Sequence, residues 1–564
     1  MTAEYTGADL FVDALERYGV DHVFGNPGTT ELPVLEALGD SDLEYVLGLH
    51  EDIAVGMAAG YAQTRRYHAH HDESINPVGV VNLHITPGLA HGIGNVYAAS
   101  FTGAPVVVTA GNHERDFRHE EPILHGDLER LVDQFTKWSD EVLDVAALPT
   151  MLRRAVRVAL TPPTGPVFLA LPADVMRSPT EPDAIEPLGP IPNAGGGDPQ
   201  QIGHAADLIA TAGDPILVLG DAVARTRGGV EAAVSFAEAA GARVHGEMLA
   251  CEVTFPTRHD LWVSHIPPRE DVARLLVDGD VVVFVGTSTH TTLLPHEGDL
   301  LDPETTVVHV GEDHWEIGKN HPADAAVVGD PALVLERLAE ILRDRIGADE
   351  RERRVERVRR LTESLEPTIE SMGVDERPEG ETRVGKHQLV DALSTVAGDA
   401  FLVDEGVTAK YPLLLRFEME PEQFISNKGG GLGYGLPASV GAALAESLRD
   451  EPRDVVGYVG DGSYLYYPQA IYSAVRADLA LTVVVPDNRN YRILKDNALQ
   501  LFGGEADDRN FVGMDFDPPV NLVTNAESHG ARGHRVETPD ELESTVQDAI
   551  QHEGVDVVDV LVYD

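Results

Sequence analysis

Short runs of β-branched and other apolar residues alternate with helix-like stretches along most of this chain. The clearest runs are residues 78–83, 104–111, 215–221, 280–286, 305–311, 400–406 and 455–460. Strands that are apolar on both faces are typical of parallel sheets, because crossover helices cover both sides of such a sheet. The alternation therefore predicts an α/β fold made of doubly wound parallel sheets.

Two breaks divide the chain into three blocks of this kind. Residues 179–200 are rich in Pro and Gly, and residues 343–386 combine a charged helical pattern with a loop. A length of 564 residues suggests three or four domains of about 150 residues each. We therefore predict three domains, at 1–180, 198–345 and 380–564.

The chain is strongly acidic, with 94 acidic and 42 basic residues and a formal net charge of −52. This charge argues against a nucleic-acid or anionic-membrane partner. Self-repulsion on this scale requires screening, which favours the cytoplasmic protein of a halophile. The sequence also predicts no signal peptide or membrane span. Its single cysteine, Cys251, excludes an intramolecular disulfide.

A Gly-Asp-Gly turn follows the run at residues 455–460, and an Asp-Asn pair follows the next run, at 479–485. Asp461 and Asn488 are 27 residues apart and are predicted to follow neighbouring parallel strands. Both offer the hard oxygen ligands that Mg²⁺ prefers. The Gly-Asp-Gly turn alone is more often plain turn chemistry, so the prediction of a metal site rests on the pair of motifs.

The spacing of these two motifs resembles the signature of the thiamin diphosphate (ThDP) enzymes, with Asp487 where the first of two Asn residues would stand. The resemblance implies a ThDP cofactor with Mg²⁺ or Ca²⁺. The metal would be held by Asp461, Asn488 and the backbone carbonyl of Asn490. FAD is not expected.

Further motifs narrow the resemblance to the decarboxylase and acetolactate synthase superfamily, and within it to the benzoylformate decarboxylases. They are residues 23–38, 45–63, 80–95, 255–259 and the glycine-rich 427–445. In this family the three domains bind the pyrimidine, form the middle of the subunit, and bind the diphosphate. One departure touches the substrate pocket: Thr29 stands where the family has Ser.

The resemblance assigns roles to individual residues of this chain. It implies that Glu51, His84 and Thr29 are catalytic and that Thr29, His84, Ile493 and Leu494 line the substrate pocket. The implied cofactor-binding residues are Glu51, Glu405, Thr408, Gly430, Leu432, Asp461, Gly462, Ser463, Asn488 and Tyr491. A second pocket histidine, which the family takes from the middle domain, has no secure counterpart, because His290 is out of register.

The expected reaction is the nonoxidative decarboxylation of a 2-oxo acid, such as benzoylformate or a related aryl or branched acid. A homodimer or a dimer of dimers is expected, because the family builds each site from two subunits. Two alternatives stay open: a carboligating acetolactate synthase-like transferase and a noncatalytic ThDP-binding protein. The histidine-rich residues 67–72 are interpreted as a solvated loop rather than a metal site.

Overall fold

The computed structural model describes residues 4–182, 185–372, 374 and 377–564. Three six-stranded sheets follow one another along these residues, and the strands within each sheet pair in parallel. Helices connect the strands, as parallel pairing requires. The prediction of three parallel-sheet α/β domains is confirmed. The predicted domain bounds stay predictions, and each sheet lies within one of the three segments.

The first sheet has the strand order β2-β1-β3-β4-β6-β5. Its strands are β1 (His22–Gly25), β2 (Glu44–Leu47), β3 (Gly79–Leu83), β4 (Val106–Asn112), β5 (Ser139–Glu141) and β6 (Val167–Pro172). The accompanying helices are α1 (Gly7–Arg17), α2 (Leu32–Leu38), α3 (Glu51–His71), α4 (Thr86–His91), α5 (Ile93–Thr102), α6 (Leu128–Val132), α7 (Leu148–Leu160) and α8 (Ala173–Met176). The central strands β1, β3 and β4 are fully buried, as expected for strands covered on both faces.

The second sheet has the order β12-β11-β10-β7-β8-β9. Its strands are β7 (Pro215–Leu219), β8 (Arg243–Gly246), β9 (Trp262–His265), β10 (Val281–Val285), β11 (Thr306–Gly311) and β12 (Ala325–Val328). The helices are α9 (Pro199–Thr211), α10 (Ala222–Arg225), α11 (Gly229–Ala240), α12 (Glu270–Leu276), α13 (Pro331–Arg345) and α14 (Ala348–Met372). The strand order reverses between β7 and β10, which is where open α/β sheets bind ligands.

The third sheet has the order β14-β13-β15-β16-β18-β17, which repeats the order of the first sheet. Its strands are β13 (Phe401–Glu405), β14 (Phe424–Ser426), β15 (Val455–Val459), β16 (Leu481–Asp487), β17 (Arg532–Val536) and β18 (Val555–Leu561). The helices are α15 (Lys386–Val396), α16 (Lys410–Arg416), α17 (Gly435–Ser447), α18 (Asp461–Tyr464), α19 (Ala470–Arg476), α20 (Arg492–Phe502), α21 (Leu522–Ser528) and α22 (Pro539–Ile550).

Helix α3 of the first domain packs directly against α17 of the third. Gly60 and Gly441 make this approach possible, because a Cβ at Gly60 would overlap the carbonyl of Ala438 and one at Gly441 would overlap that of Met57. The side chain of Tyr434 also donates a hydrogen bond to Gln63 across the contact. The first and third domains are therefore joined by a helix pair that leaves no room for larger side chains at these positions.

The histidine-rich residues 67–72 do not form a solvated loop, so that prediction is wrong. Residues up to His71 continue α3, and His68 is buried with its Nε2 atom 3.0 Å from a carboxylate oxygen of Glu446. His70 and His71 both contact Glu422, at 2.8 and 2.7 Å. The histidines thus pair with the carboxylates of the third domain. In the described part of the chain, no helix is both long enough and apolar enough to cross a membrane.

Candidate active site

His84 follows β3 and lies against a buried carboxylate. Its Nδ1 atom is 3.0 Å from Oε2 of Glu31 and 3.2 Å from the hydroxyl of Thr30. Burial raises the pKa of Glu31, and its hydrogen bonds with Thr30 and His84 oppose that rise. A carboxylate facing Nδ1 favours the tautomer that is protonated there, which leaves Nε2 with a free lone pair. Glu31 therefore orients the predicted catalytic histidine.

Glu51 begins α3, directly after His50, whose ring accepts the N–H of Asp52 at the start of the helix. The carboxylate of Glu51 is mostly buried, and its Oε2 atom lies 3.4 Å from Nδ1 of His91. Gly88 separates Glu51 from His84: a Cβ there would stand 2.8 Å from Cβ of His84 and 3.0 Å from Oε1 of Glu51. The structure therefore brings two of the predicted catalytic residues together.

Thr29 does not join this pair directly. It is exposed and lines a surface groove with Leu32, Pro33 and Phe117. The hydroxyl that contacts His84 belongs to the next residue, Thr30, which donates to Glu31. The catalytic role of Thr29 stays a prediction, and Thr30 is a contact that the sequence motif did not indicate.

Asp461 follows β15 and begins α18, as the spacing of the sequence motifs predicts. It is buried, and the carboxylate of Asp487 at the end of the adjacent β16 is its neighbour. Burial, and then the charge of Asp487, raise the pKa of Asp461 well above its ordinary range. Its Oδ2 atom is buried without a hydrogen-bond partner in the described part of the chain. A bound cation would satisfy this oxygen and offset the like charges.

Asn488 and Asn490 complete the predicted metal clamp. Both side-chain amides donate to the carboxylate of Asp564, at 3.0 Å from Asn488 and 2.9 Å from Asn490. Their Nδ2 atoms thus face Asp564, while Oδ1 of Asn488 accepts the backbone N–H of Asn490. Carboxylate, amide and backbone oxygens are the donor set that suits a hard divalent cation. The residues present therefore fit Mg²⁺ or Ca²⁺.

A cavity opens beside this clamp, and most of the predicted cofactor-binding residues line it. The predicted residues in its wall are Thr408, Leu432, Asp461, Gly462, Ser463, Asn488, Asn490, Tyr491 and Ile493. Lys386 adds a positive charge to the same wall. Gly430 is near the cavity in sequence and adopts a positive φ of 71°, whereas Leu494 on α20 is 46% exposed. The roles assigned to these residues stay predictions.

Glu405, another predicted cofactor-binding residue, lies against the glycine-rich turn that precedes α17. Its buried carboxylate accepts the backbone N–H groups of Gly433, Tyr434 and Gly435 at 3.0–3.3 Å. Burial raises its pKa to about 7, against the opposing effect of these hydrogen bonds. The side chain thus holds the glycine-rich turn at the start of α17. Direct contact of Glu405 with a cofactor stays a prediction.

The two halves of the predicted site are separate within one chain. Among the described residues, the wall of the cavity at Asp461 includes neither Glu51 nor His84 nor Thr29. The first and third domains are nevertheless linked near both halves, because Asp52 accepts a 2.8 Å hydrogen bond from the hydroxyl of Tyr467. Burial raises the pKa of Asp52 to about 6.

The crevice of the middle sheet, where its strand order reverses, contains a buried ion cluster. Glu247 accepts the backbone N–H groups of Asp221, Ser288 and Thr289, which follow β7 and β10, at 2.9–3.0 Å. The ammonium group of Lys428 contacts Glu247 and lies 2.7 Å from Asp221. Lys428 stands next to the glycine-rich turn of the third domain, so this cluster ties the middle domain to the cofactor half of the site.

Comparison with known proteins agrees with this architecture. Three sequence profiles match: the thiamine pyrophosphate enzyme N-terminal TPP-binding domain over residues 5–136, the central domain over 202–338 and the C-terminal TPP-binding domain over 407–560. Thiamine pyrophosphate (TPP) is another name for ThDP. The chain belongs to the thiamine pyrophosphate enzymes. The resemblance seen in the sequence is thereby confirmed, and the matched domains indicate ThDP as the cofactor of this TPP enzyme.

Individual relatives cover nearly the whole of this TPP enzyme. It is 31% identical to a benzoylformate decarboxylase of Pseudomonas aeruginosa over 546 residues, which is 95% of each chain. It is 26% identical to an acetolactate synthase of Bacillus subtilis, over 98% of this chain and 92% of the other. A solved thiamine diphosphate-dependent 4-hydroxybenzoylformate decarboxylase of Rhodococcus jostii aligns with a TM-score of 0.83 and 27% identity, covering 99% and 100% of the two chains. The chain is thus a ThDP-dependent enzyme of the decarboxylase and acetolactate synthase family.

Proposed function

We propose that this TPP enzyme catalyses the nonoxidative decarboxylation of a 2-oxo acid, such as benzoylformate or a related aryl or branched acid, to the aldehyde and carbon dioxide. The observation that carries the proposal is the histidine oriented by Glu31 beside Glu51. A histidine and a carboxylate on either side of one glycine provide two proton-transfer groups for one small site. The identity to a benzoylformate decarboxylase supports the choice of substrate class.

When it is bound, ThDP supplies the electron sink for decarboxylation. The residues of this chain would bind it, orient it and move protons. Asp461, Asn488 and the backbone carbonyl of Asn490 would hold the divalent cation, while Glu51 would exchange a proton with the pyrimidine ring. The Nε2 atom of His84 would first take up a proton on its free lone pair and then give it to the substrate oxygen, while Glu31 holds the other ring proton at Nδ1.

The substrate pocket is proposed to combine polar and apolar walls. Thr29 would contact the carboxylate of the substrate, beside the imidazole of His84. Ile493 and Leu494, at the start of α20, would contact its side chain. An apolar pocket discriminates by only about 1–3 kcal/mol per methylene, so we expect modest preferences among bulky apolar acids and a larger one against pyruvate.

The proposed site requires a second copy of the chain. The cavity at Asp461 and the pair of Glu51 and His84 do not share a wall among the described residues of one chain. A homodimer, or a dimer of dimers, would place the first domain of one chain against the third domain of another. An active monomer in light scattering at assay concentration would contradict this. We also propose a cytoplasmic location and adaptation to high salt, on the strength of the net charge of −52.

The acetolactate synthase reaction is the second candidate, because synthases are also relatives. The middle domain favours the decarboxylase. A dinucleotide at this crevice would need backbone N–H groups for its diphosphate, and Glu247 already accepts three of them. A lack of space does not exclude a dinucleotide, because a cavity of about 640 Å³ lies beside this crevice. We therefore propose that FAD is not a cofactor of this chain.

The experiment that tests the proposal is a comparison of catalytic efficiencies for benzoylformate, 2-oxoisovalerate and pyruvate. The assay uses purified protein in molar KCl with ThDP and Mg²⁺, and detects aldehyde and acetolactate separately. We expect benzoylformate or 2-oxoisovalerate to exceed pyruvate. Efficient use of pyruvate with acetolactate as product would instead assign the chain to the synthases. Retention of ThDP without turnover of any acid would favour the noncatalytic alternative.

A further inference from the structure

The carboxylate of Asp564 lies behind the predicted metal clamp, three residues after the end of β18. Its two oxygens accept one hydrogen bond each from the side-chain amides of Asn488 and Asn490, at 3.0 and 2.9 Å. The ammonium group of Lys386 donates to the same carboxylate at 3.1 Å. All three donors also line the cavity at Asp461. Asp564 therefore contacts two of the three residues proposed to hold the cation.

The chemistry of these contacts fixes the orientation of both amides. A side-chain amide has one donor end and one acceptor end, and an ionised carboxylate can only accept. The oxygens of Asp564 accept from both Nδ2 atoms, and Lys386 donates to the same carboxylate. The Nδ2 ends of Asn488 and Asn490 must consequently face Asp564, and their Oδ1 ends must face away from it.

The remaining contacts agree with this orientation. Oδ1 of Asn488 accepts the backbone N–H of Asn490 at 3.2 Å, and the second Nδ2 hydrogen of Asn490 reaches the backbone carbonyl of Asn488 at 2.7 Å. Oδ1 of Asn490 is buried without a hydrogen-bond partner in the described part of the chain. The turn that carries both residues is thus held from within and from Asp564.

The position of Asp564 is itself fixed by the third sheet. The backbone N–H of Val562 donates to Asp487 at 2.9 Å, and that of Tyr563 donates to Val384 at 3.2 Å. The carboxylate therefore extends from backbone that is anchored at the two residues directly before it. A rigid acceptor behind a ligand is the arrangement by which outer residues orient the ligands of metal sites.

We propose that Asp564 is a positioning residue for the divalent cation, which holds the amide oxygen of Asn488 toward the metal and fixes the turn that presents the carbonyl of Asn490. Without an acceptor at this place, the amide of Asn488 can rotate and present its NH₂ end to the cation, and the turn at Asn490 loses one of its contacts. This inference rests on the proposed function, because the metal is part of that proposal.

The test is to measure binding of Mn²⁺ to the metal-free protein by EPR, in molar KCl and with ThDP present. Mn²⁺ is a suitable probe because it favours the same oxygen ligands as Mg²⁺. For Asp564→Asn we expect an affinity about 10- to 100-fold weaker than that of the native chain, the usual cost of losing an outer residue of a metal site. The matched control is Asp507→Asn, an exposed residue outside the site that loses the same charge.

Further measurements on this variant and two others separate positioning from a general structural role. The KM values for Mg²⁺ and ThDP should rise in Asp564→Asn while kcat at saturation stays near native, and the melting temperature without metal should not change. Asp564→Glu should recover part of the affinity because it keeps the acceptor. Asp564→Ser, which leaves room for a water, should show the same loss and serves if the asparagine variant does not fold.

The results that would overturn the inference are specific. Native-like Mn²⁺ affinity in Asp564→Asn and Asp564→Ser would show that the amides need no fixed acceptor, while leaving the proposed function intact. A weaker Mn²⁺ affinity together with a lower melting temperature of the metal-free variant would assign Asp564 a structural role. Failure of the native chain to bind Mn²⁺ with ThDP would instead contradict the proposed function, and the inference with it.

Discussion

The first and third domains share one strand order but place different chemistry at the same topological positions. In the first domain, β3 leads to His84, and β2 leads to Glu51. In the third domain, the corresponding strands are β15, which leads to Asp461, and β14, which leads to the glycine-rich turn. The same scaffold thus presents proton-transfer groups in one domain and oxygen ligands in the other. The shared fold sets the positions at the strand ends, and the residues after each strand determine the chemistry at those positions.

The largest expected effect separates these two kinds of chemistry. Glu51→Gln should retain ThDP and metal but lose about 10²–10⁴-fold in turnover, the usual contribution of a proton-transfer group. Asp461→Ala should lose the metal and the cofactor together. Retention is measured by dialysis and turnover by aldehyde release, with the exposed Asp450→Ala as control. Exchange of the C2 proton of bound ThDP at the native rate in Glu51→Gln would contradict the role of Glu51.

A smaller effect is expected within the first domain alone. Glu31→Gln should reduce turnover by about 10- to 100-fold, below the full cost of losing a proton-transfer group, because glutamine can turn its NH₂ end toward His84 and favour the wrong tautomer. The pH profile of kcat should change shape, while ThDP affinity stays native. The matched control is Glu36→Gln, an exposed acid on α2, the helix that begins directly after Glu31. An unchanged pH profile would remove Glu31 from the mechanism.

We expect Glu405, a buried acid of the third domain, to affect the stability of the fold rather than the turnover. Burial raises the pKa of Glu405 from 4.5 to about 7, so the folded chain retains a proton that the unfolded chain releases. This stabilising contribution is complete below about pH 4.5 and is lost as the pH rises through about 7. The melting temperature of the native chain relative to Glu405→Gln should therefore fall between about pH 5 and about pH 8. A difference that rises or stays constant would contradict the assignment.

The smallest difference is expected in the response to salt, which should be the same for variants of the first domain and of the third. Raising KCl from about 0.2 M to about 2 M should raise the melting temperature of the native chain and of all these variants in parallel, because the screened charges are spread over the surface. A melting temperature that stays constant or falls would contradict adaptation to high salt. A variant that responds differently from the native chain would show that its site contributes to the salt effect.

The sequence predicts those parts of the molecule that depend on residues near one another in the chain. The apolar runs before Asp461 and Asn488 place both residues at the ends of adjacent strands, as the structure has them. The sequence does not predict that α3 continues to His71. The helix is buried on nearly all sides and therefore lacks the polar face that marks a surface helix.

Contacts between distant residues were not predictable in this way. Glu31 is 53 residues from His84, and Asp564 is 76 residues from Asn488. Each contact depends on how strands are ordered in a sheet, and periodicity does not report that order. For Glu31 a signal existed, since it is an acid two residues after Thr29 in the same motif. For Asp564 the sequence offers no such signal.

The ion cluster of Glu247 and Lys428 bears on how this chain could evolve. A dinucleotide entering the middle crevice would have to displace Glu247 from the three N–H groups that it accepts. Loss of Glu247 would also remove a buried partner of Lys428, beside the glycine-rich turn. Lys428 would still keep Asp221 as a buried partner, 2.7 Å away. A nucleotide cofactor at this crevice would therefore have to replace both the N–H contacts and the ion pair of Glu247, and the loss of Glu247 alone should weaken the contact between the middle and third domains.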